Sequence, residues 1–284
     1  MAERPGVLYV VATPIGNLDD LSPRAQQVLR EADRVAAEDT RHSGKLLGQF
    51  GIATPLVSLH EHNEAERTDE LLQQLKSGAR IALISDAGTP LISDPGFDLV
   101  RAARRAGITV TPVPGACALV AALSVSGLPT DRFVYEGFLP AKSAARRERL
   151  AELTGETRTL VFYESVHRLR ESLEDMAAVF GAGRSAVLAR ELTKLHESVR
   201  EAPLSALADW AVQDPAAGKG EVVLVVAGAA AAVAAPAEGD RVLAALLKEL
   251  PVKQAAALTA EITGMKKNEL YARALELTGK REKP

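Results

Sequence analysis

The segment Ile84–Gly96, ISDAGTPLISDPG, sets two glycines, two prolines and two aspartates directly behind a strongly apolar run. Such a loop is rigid and lets the backbone approach a ligand closely. It also leaves the carboxyl end of a strand, where parallel α/β sheets bind ligands. Thr13-Pro14-Ile15-Gly16-Asn17 and Pro114-Gly115-Ala116 follow two further apolar runs in the same way. Three backbone bends can therefore converge on one crevice. Asp94 ahead of Pro95 also has the form of a helix N-cap.

Polar residues follow the second and third strands as Glu38-Asp39-Thr40-Arg41-His42 and His60-Glu61-His62-Asn63-Glu64. They can do general acid–base chemistry, ligate a metal, or cap the helices that come next. His60 and His62 alternate across a strand end, which sends their rings to opposite sides, and no thiolate or third histidine is nearby, so no metal is expected. No GxxxxGK[ST] string occurs, and Gly88-Thr89-Pro90 is therefore unrelated to a P-loop. Gly181–Ala186 matches GxGxxA but precedes a strand, which makes it a helix-to-strand turn.

Two segments are locally basic. Ala141–Leu150 carries Lys142, Arg146, Arg147 and Arg149 against Glu148 alone, and residues 264–284 hold six Lys or Arg against three Glu. The whole chain has 34 Lys and Arg, 37 Asp and Glu and a formal net charge of -3. That balance excludes a uniformly basic coat and leaves the two local excesses as places for phosphate contacts.

The elements that must position these groups are readable from periodicity. Short β-branched runs alternate with helical patterns over the first two thirds, which predicts an α/β protein with mostly parallel, buried sheet. Candidate strands are 8–12, 34–37, 56–59, 81–85, 109–113, 133–138, 160–163, 186–190, 197–200 and 222–227; ten are many for one sheet, so two are expected. Ser22 before Pro23 caps one helix. Leu71, Leu72 and Leu75 stripe another over Glu64–Lys76, and Gly78 gives it a left-handed stop.

With 284 residues and about 150 per domain, the chain holds two domains or one with an appendage. Pro114-Gly115 divides an α/β domain over 1–114 from a second over 115–228. Residues 229–240 have the composition of an alanine-rich tether, and 241–284 that of a helical domain. Its patterns at Arg241–Leu250, Val252–Ile262 and Lys266–Leu277, with Gly264 between the last two, resemble a helix-turn-helix. The single Cys117 rules out an internal disulfide and suits a reducing cytoplasm. No export signal or membrane-spanning run is visible, so a soluble chain without a membrane partner is expected.

LYVVATPIGNLDDLSPRA at 8–25, AAEDTRHSGKLL at 36–47, SDAGTPLISDPG at 85–96 and LPVKQAAALTAEITGMKKNELYARALEL at 250–277 together resemble the ribosomal RNA small subunit methyltransferase I family. VFYESVHR at 161–168 and ARELTKLHE at 189–197 extend the likeness over essentially the whole chain. The resemblance implies the tetrapyrrole-methylase fold, with two α/β domains enclosing S-adenosylmethionine, and usually a homodimer. It also implies 2′-O-methylation of a cytidine in the decoding region of small-subunit (16S) rRNA. By the same carry-over, Thr13, Pro14, Gly16, Asp86, Ala87, Gly88, Pro90, Ile92, Ala116, Tyr163 and Leu192 are the cofactor-binding residues.

A sulfonium donor bearing an adenine and an amino-acid head suits a lining of carbonyls, amides and apolar walls. The ribose hydroxyl is a poor nucleophile and needs a base or a cation beside it. Glu38, Asp39, Arg41 and His60 are the candidates for that role, with Asn17 and Lys194 orienting the RNA. Arg146, Arg147, Arg149, Lys266, Lys267 and Arg273 would hold phosphates, giving RNA binding that weakens steeply with salt. Two other readings stand beside this one. A tetrapyrrole C-methyltransferase has little use for the basic segments or the helical tail, and a non-catalytic RNA-binding module of ribosome assembly needs no donor crevice.

Overall fold

The computed structural model describes residues 5–214, 217–230 and 236–278, which fall into two compact units. The larger comprises 1–154 and 158–227, the smaller 155–157 and 228–284. In the larger unit β1 (Val7–Val11), α1 (Pro23–Glu31), β2 (Arg34–Ala37), α2 (Thr40–Gln49), β3 (Leu56–Ser58), α3 (Glu64–Lys76), β4 (Arg80–Ile84), α4 (Phe97–Arg105) and β5 (Thr109–Val113) form the first half. The second half runs α5 (Ala118–Val125), β6 (Phe133–Phe138), α6 (Ser143–Glu152), β7 (Thr159–Ser165), α7 (Leu169–Phe180), β8 (Ser185–Arg190), β9 (Ser198–Pro203), α8 (Leu204–Gln213) and β10 (Glu221–Val226).

Two five-stranded sheets result, in the orders β3-β2-β4-β1-β5 and β6-β7-β10-β8-β9. The first is parallel throughout. In the second only β6 and β7 are parallel, while β10 runs against β7 and β8, and β8 against β9. The expectation of mostly parallel sheet fails there because the link from Arg190 to Ser198 is too short for the dozen or so residues of a crossover.

The inner strands are covered on both faces, which is why β4, β8 and β10 read as apolar runs, whereas the edge strand β9 is exposed and polar. In β10, Val222, Leu224 and Val226 pack on α6, α7 and α8 through Leu150, Leu173 and Leu207, whereas Val223 and Val225 pack on α5 through Leu119 and Leu123. In the first sheet Leu8, Ile81 and Leu83 meet Leu71 and Leu75 of α3 and Leu99 of α4. Val11, Ala82 and Ile84 meet Leu29 of α1 and Leu47 of α2.

Helix ends follow local chemistry. Ser22 Oγ accepts from Ala25 N–H at 3.1 Å, and Gly78 closes α3 at φ +97°. Asp94 is not a cap. The N-cap of α4 is Gly96, at φ +117°, where a Cβ would stand 2.7 Å from Leu83 Cδ2. Glu64 Oε1 takes the free amides of that helix, accepting from Gly96 N–H at 3.0 Å and Asp98 N–H at 2.9 Å. The Asp94 carboxyl is thereby left for other use.

In the smaller unit α9 (Pro236–Leu246), α10 (Val252–Thr263) and α11 (Lys267–Leu277) surround Leu243, Ala255, Ala256, Leu270 and Ala274. The helix expected from 241 begins earlier, at Pro236, where a proline costs the first turn no hydrogen bond. Residues 231–235 of the expected tether lie outside the described residues, as do the last three basic residues of the tail, Lys280, Arg281 and Lys283. Gly264, at φ +71°, ends α10 ahead of α11. No helix among the described residues is long and apolar enough to cross a membrane.

Candidate active site

The three strand-end bends do converge. Thr13 and Gly88 exchange backbone hydrogen bonds of 2.8 and 3.1 Å, Thr13 Oγ1 donates to Ser85 O at 3.2 Å, and Thr89 Oγ1 donates to Ala116 O at 3.0 Å. The loops after β1, β4 and β5 are thus tied into one wall. Against it lies a cavity of about 490 Å³, lined from the first sheet by Ile15, Glu38 and residues of 86–94, and from the second by Phe138, 163–167, Ala189, Leu192 and 220–223. That size falls in the range of roughly 300–1000 Å³ usual for small-molecule sites.

Two strained segments point into it. Leu91 and Ser93 have φ of +73° and +67°, and Glu191 and Thr193 have +53° and +67°. In each case the residue between them, Ile92 or Leu192, lines the cavity. Non-glycine residues in this region cost of order 1–3 kcal/mol and persist where the surroundings fix them. Ser93 Oγ and Tyr135 Oη, 2.6 Å apart, fix the first segment to the second sheet, and Thr193 Oγ1, accepting from Asn17 N–H at 3.1 Å, fixes the second to the first.

Of the residues expected at a cofactor, Asp86, Ala87, Gly88, Ile92, Tyr163 and Leu192 line the cavity. Thr13, Pro14 and Pro90 are buried in its supports, Ala116 contributes the carbonyl that anchors Thr89, and Gly16 packs against Lys194. Of the expected catalytic groups only Glu38 reaches the lining. Asp39 instead caps α2, accepting from Arg41 N–H at 2.8 Å, and pairs with the Arg41 guanidinium, which holds its carboxyl down at about 2. Arg41 itself is 88% exposed. His60 and His62 do not diverge: β3 stops at Ser58, both lie in the following turn, and their rings meet edge to face at 6.0 Å.

Most of the remaining expected contacts are engaged within the protein. Asn17 Oδ1 caps the turn at Leu18–Asp20, and Lys194 Nζ sits 2.9 Å from Glu191 and 2.8 Å from Glu221. Arg146 is fully buried, its Nε donating to Asp175 at 2.7 Å. Arg147 shares that carboxylate, and Arg149 is taken up by Glu136 and Glu152. Sequence spacing places these arginines on one segment, but the packing of α6 on α7 turns Arg146 inward, so Arg146 is withdrawn from any phosphate while Arg147 and Arg149 stay partly exposed. Arg273 is likewise paired with Asp240 and Glu276, whereas Lys266 keeps 83% exposure beside Glu269, 3.4 Å away, and Lys267 is exposed.

The cavity is electrostatically acidic. Burial raises the Glu38 carboxyl, helped by Asp86, Asp94 and Glu61. Burial also pushes Asp94 up to about 6, with Asp86 adding to the effect against the opposing hydrogen bond from Ser85. Asp94 was missed in the sequence because the Asp-Pro pair looked like a cap, and Glu164, Ser165 and His167 were missed although VFYESVHR ends a strand just as the other loops do. Since Asp94 binds its proton more tightly folded than unfolded, stability falls as pH rises from about 4 through 6. Asp94→Asn is therefore expected to gain thermal stability over the wild type across that interval and to hold a constant advantage above it. A melting-temperature difference that does not grow from pH 4 to pH 7 would contradict this.

A lining of carboxylates, carbonyls and apolar walls fits a compact organic cation better than a phosphate. A family model for Tetrapyrrole (Corrin/Porphyrin) Methylases matches residues 7–208, and one for the RsmI C-terminal HTH domain matches 233–278. The Ribosomal RNA small subunit methyltransferase I of Pseudomonas aeruginosa is 60% identical over 97% of this chain and 99% of its own. That of Escherichia coli O157:H7 is 56% identical over 96% of each. Among solved structures, uroporphyrin-III-C-methyltransferase from Thermus thermophilus covers 78% of this chain and 94% of its own at 25% identity and a TM-score of 0.52. The methyltransferase CobJ covers 79% and 95% at 20% identity and a TM-score of 0.59, a likeness of fold. On these matches, which run from β1 to α11, the chain belongs to the ribosomal RNA small subunit methyltransferase I family of the tetrapyrrole methylases.

Proposed function

We propose that this protein transfers a methyl group from S-adenosylmethionine to the 2′-hydroxyl of a cytidine in the decoding region of small-subunit ribosomal RNA. The observation that carries the reading is the cavity: an acidic, largely apolar hollow walled by three tied strand-end loops, with a raised carboxyl at its edge. S-adenosylmethionine is the donor of the tetrapyrrole methylases and supplies a methyl carbon activated by a sulfonium cation. Asp86 and Asp94 offset that positive charge, Gly88 leaves room for close backbone approach, and Ile92, Tyr163 and Leu192 cover the apolar parts.

In an in-line displacement the ribose oxygen bonds to the methyl carbon as the carbon–sulfur bond breaks, and the hydroxyl proton leaves to a base. Holding the reactants in line can account for up to roughly 7–11 kcal/mol of barrier lowering. Glu38 is the base in this scheme, since its raised carboxyl takes up a proton more readily than an ordinary glutamate. Lys266 and Lys267, exposed at the start of α11, meet RNA phosphates. A cytoplasmic homodimer belongs to the same reading.

The test is transfer of tritiated methyl to purified small subunits, with the modified nucleotide mapped. Label on a base, or none on ribosomal RNA, would overturn the reading. Glu38→Gln is expected to slow transfer by at least about tenfold while leaving donor affinity within about twofold. Unchanged turnover would remove Glu38 from the scheme.

A further inference from the structure

The strand end of VFYESVHR does more than close the cavity. Tyr163, Glu164, Ser165, Val166 and His167 all line it. Glu164 has a side chain only 1% exposed and is held from three directions: Ser165 N–H donates to Oε1 at 2.7 Å, Arg168 Nη2 donates to the same oxygen at 3.1 Å, and Ser172 Oγ donates to Oε2. Arg168 N–H donates to Ser165 O at 2.9 Å and closes the turn. This carboxylate lines the cavity yet takes three hydrogen bonds from the protein, so its work is to brace the turn.

The turn presents groups that nothing else in the cavity offers. A neutral nucleoside face needs hydrogen-bonding side chains without negative charge, and five lining residues qualify. Thr89 Oγ1 is spent on Ala116 O, Ser93 Oγ on Tyr135 Oη, and Tyr163 Oη on Leu119 N–H at 3.1 Å. Only the Ser165 hydroxyl and the His167 ring have no protein partner among the described residues, and His167 stands exposed at the rim. The acidic remainder repels phosphates, so a nucleotide can enter only with its sugar or base leading.

We propose that the Ser165–His167 turn is the acceptor side of the site, where Ser165 and His167 hydrogen-bond the sugar or base of the target nucleotide and the Glu164–Arg168 pair sets their position. This rests on the methyl-transfer reading above and adds where the acceptor is held. His167→Ala and Ser165→Ala touch no core contact and are the primary variants, with His167→Asn as the conservative one.

The experiment measures S-adenosylmethionine affinity by calorimetry and steady-state transfer to purified small subunits. For His167→Ala the expected result is donor affinity within about twofold of wild type and kcat/KM for subunits at least about tenfold lower. His167→Asn should restore part of the loss, and Ser165→Ala should lower kcat/KM in the same direction. Wild-type kcat/KM in both alanine variants overturns the proposal, as does a loss that appears in donor affinity, which would give the turn to the donor. Wild-type enzyme that binds no donor or labels no small subunit fails the parent reading instead, so the two failures are distinguishable. Glu164→Gln, which weakens the brace and removes no cavity donor, should lower kcat/KM with donor affinity kept; wild-type kcat/KM there removes the bracing role.

Discussion

Gly88→Arg is expected to abolish S-adenosylmethionine binding, weakening it by at least about a hundredfold, which corresponds to roughly 2.8 kcal/mol. Gly88 sits at φ +83°, and a Cβ there would lie 3.2 Å from Ile15 Cγ2 and 3.7 Å from Ala116 O, against the wall of the cavity. The loop cannot swing aside to relieve the contact, because Gly88 both donates to and accepts from Thr13 in the backbone. A non-glycine residue in the left-handed region costs a further 1–2 kcal/mol or so. Beyond the Cβ, an arginine side chain must run into the cavity that Gly88 lines, and it brings a positive charge to the place argued to receive a sulfonium. Gly88→Ala separates the causes: it carries the backbone strain and the contact with Ile15 but neither the bulk nor the charge, and should weaken binding by about tenfold or less. Calorimetric titration of both variants, with circular dichroism to verify the fold, decides the matter. Near-wild-type affinity in Gly88→Arg would mean that the donor does not approach this loop.

The architecture was readable to the extent that it depends on local pattern. All ten strands, the helix over Glu64–Lys76, the Ser22 cap and the Gly264 turn lie where periodicity and capping chemistry put them, because each is decided within a few residues. What escaped depends on partners distant in sequence. Asp94 has the form of a cap, yet the amides of α4 are taken by Glu64, thirty-odd residues earlier in the chain, leaving the aspartate to the cavity. The direction of β8, β9 and β10 follows from a short connection and from pairing across the sheet, and neither shows in an apolar run. At the site, strand-end position identified the loops but not the side chains. Asp39, Arg41, Asn17 and Lys194 have the right chemical types, and each is consumed by a cap or an ion pair that only three-dimensional proximity reveals. Conversely, the residues of the β7 turn looked like the end of a motif and prove to line the cavity.

Arg146→Ala is expected to destabilise the larger unit by about 3–5 kcal/mol, the cost of leaving one member of a buried ion pair without the other. Arg146 is the largest fully buried side chain of the chain's described residues, and Asp175 is 3% exposed. Burial alone would raise the Asp175 carboxyl, but Arg147, Ser143 and Arg146 outweigh it and hold it below its usual range. A carboxyl depressed in the folded state adds stability above its unfolded value and loses it as pH falls through the folded one, so the Arg146 variant should also lose part of the wild type's acid sensitivity. Replacing both partners by apolar groups of similar size, Arg146→Met with Asp175→Leu, removes the uncompensated charge and should recover most of the loss. Arg149→Ala removes a guanidinium that is 44% exposed but strands the Glu136 carboxylate, whose side chain is 8% exposed, so its cost should be smaller than that of Arg146→Ala without vanishing. Urea midpoints for the wild type and the three variants measure this directly. If Arg146 met phosphate instead, Arg146→Ala would fold as stably as wild type and lower the slope of RNA affinity against salt; if it is a structural cation, stability falls while that slope stays unchanged in the apolar double variant.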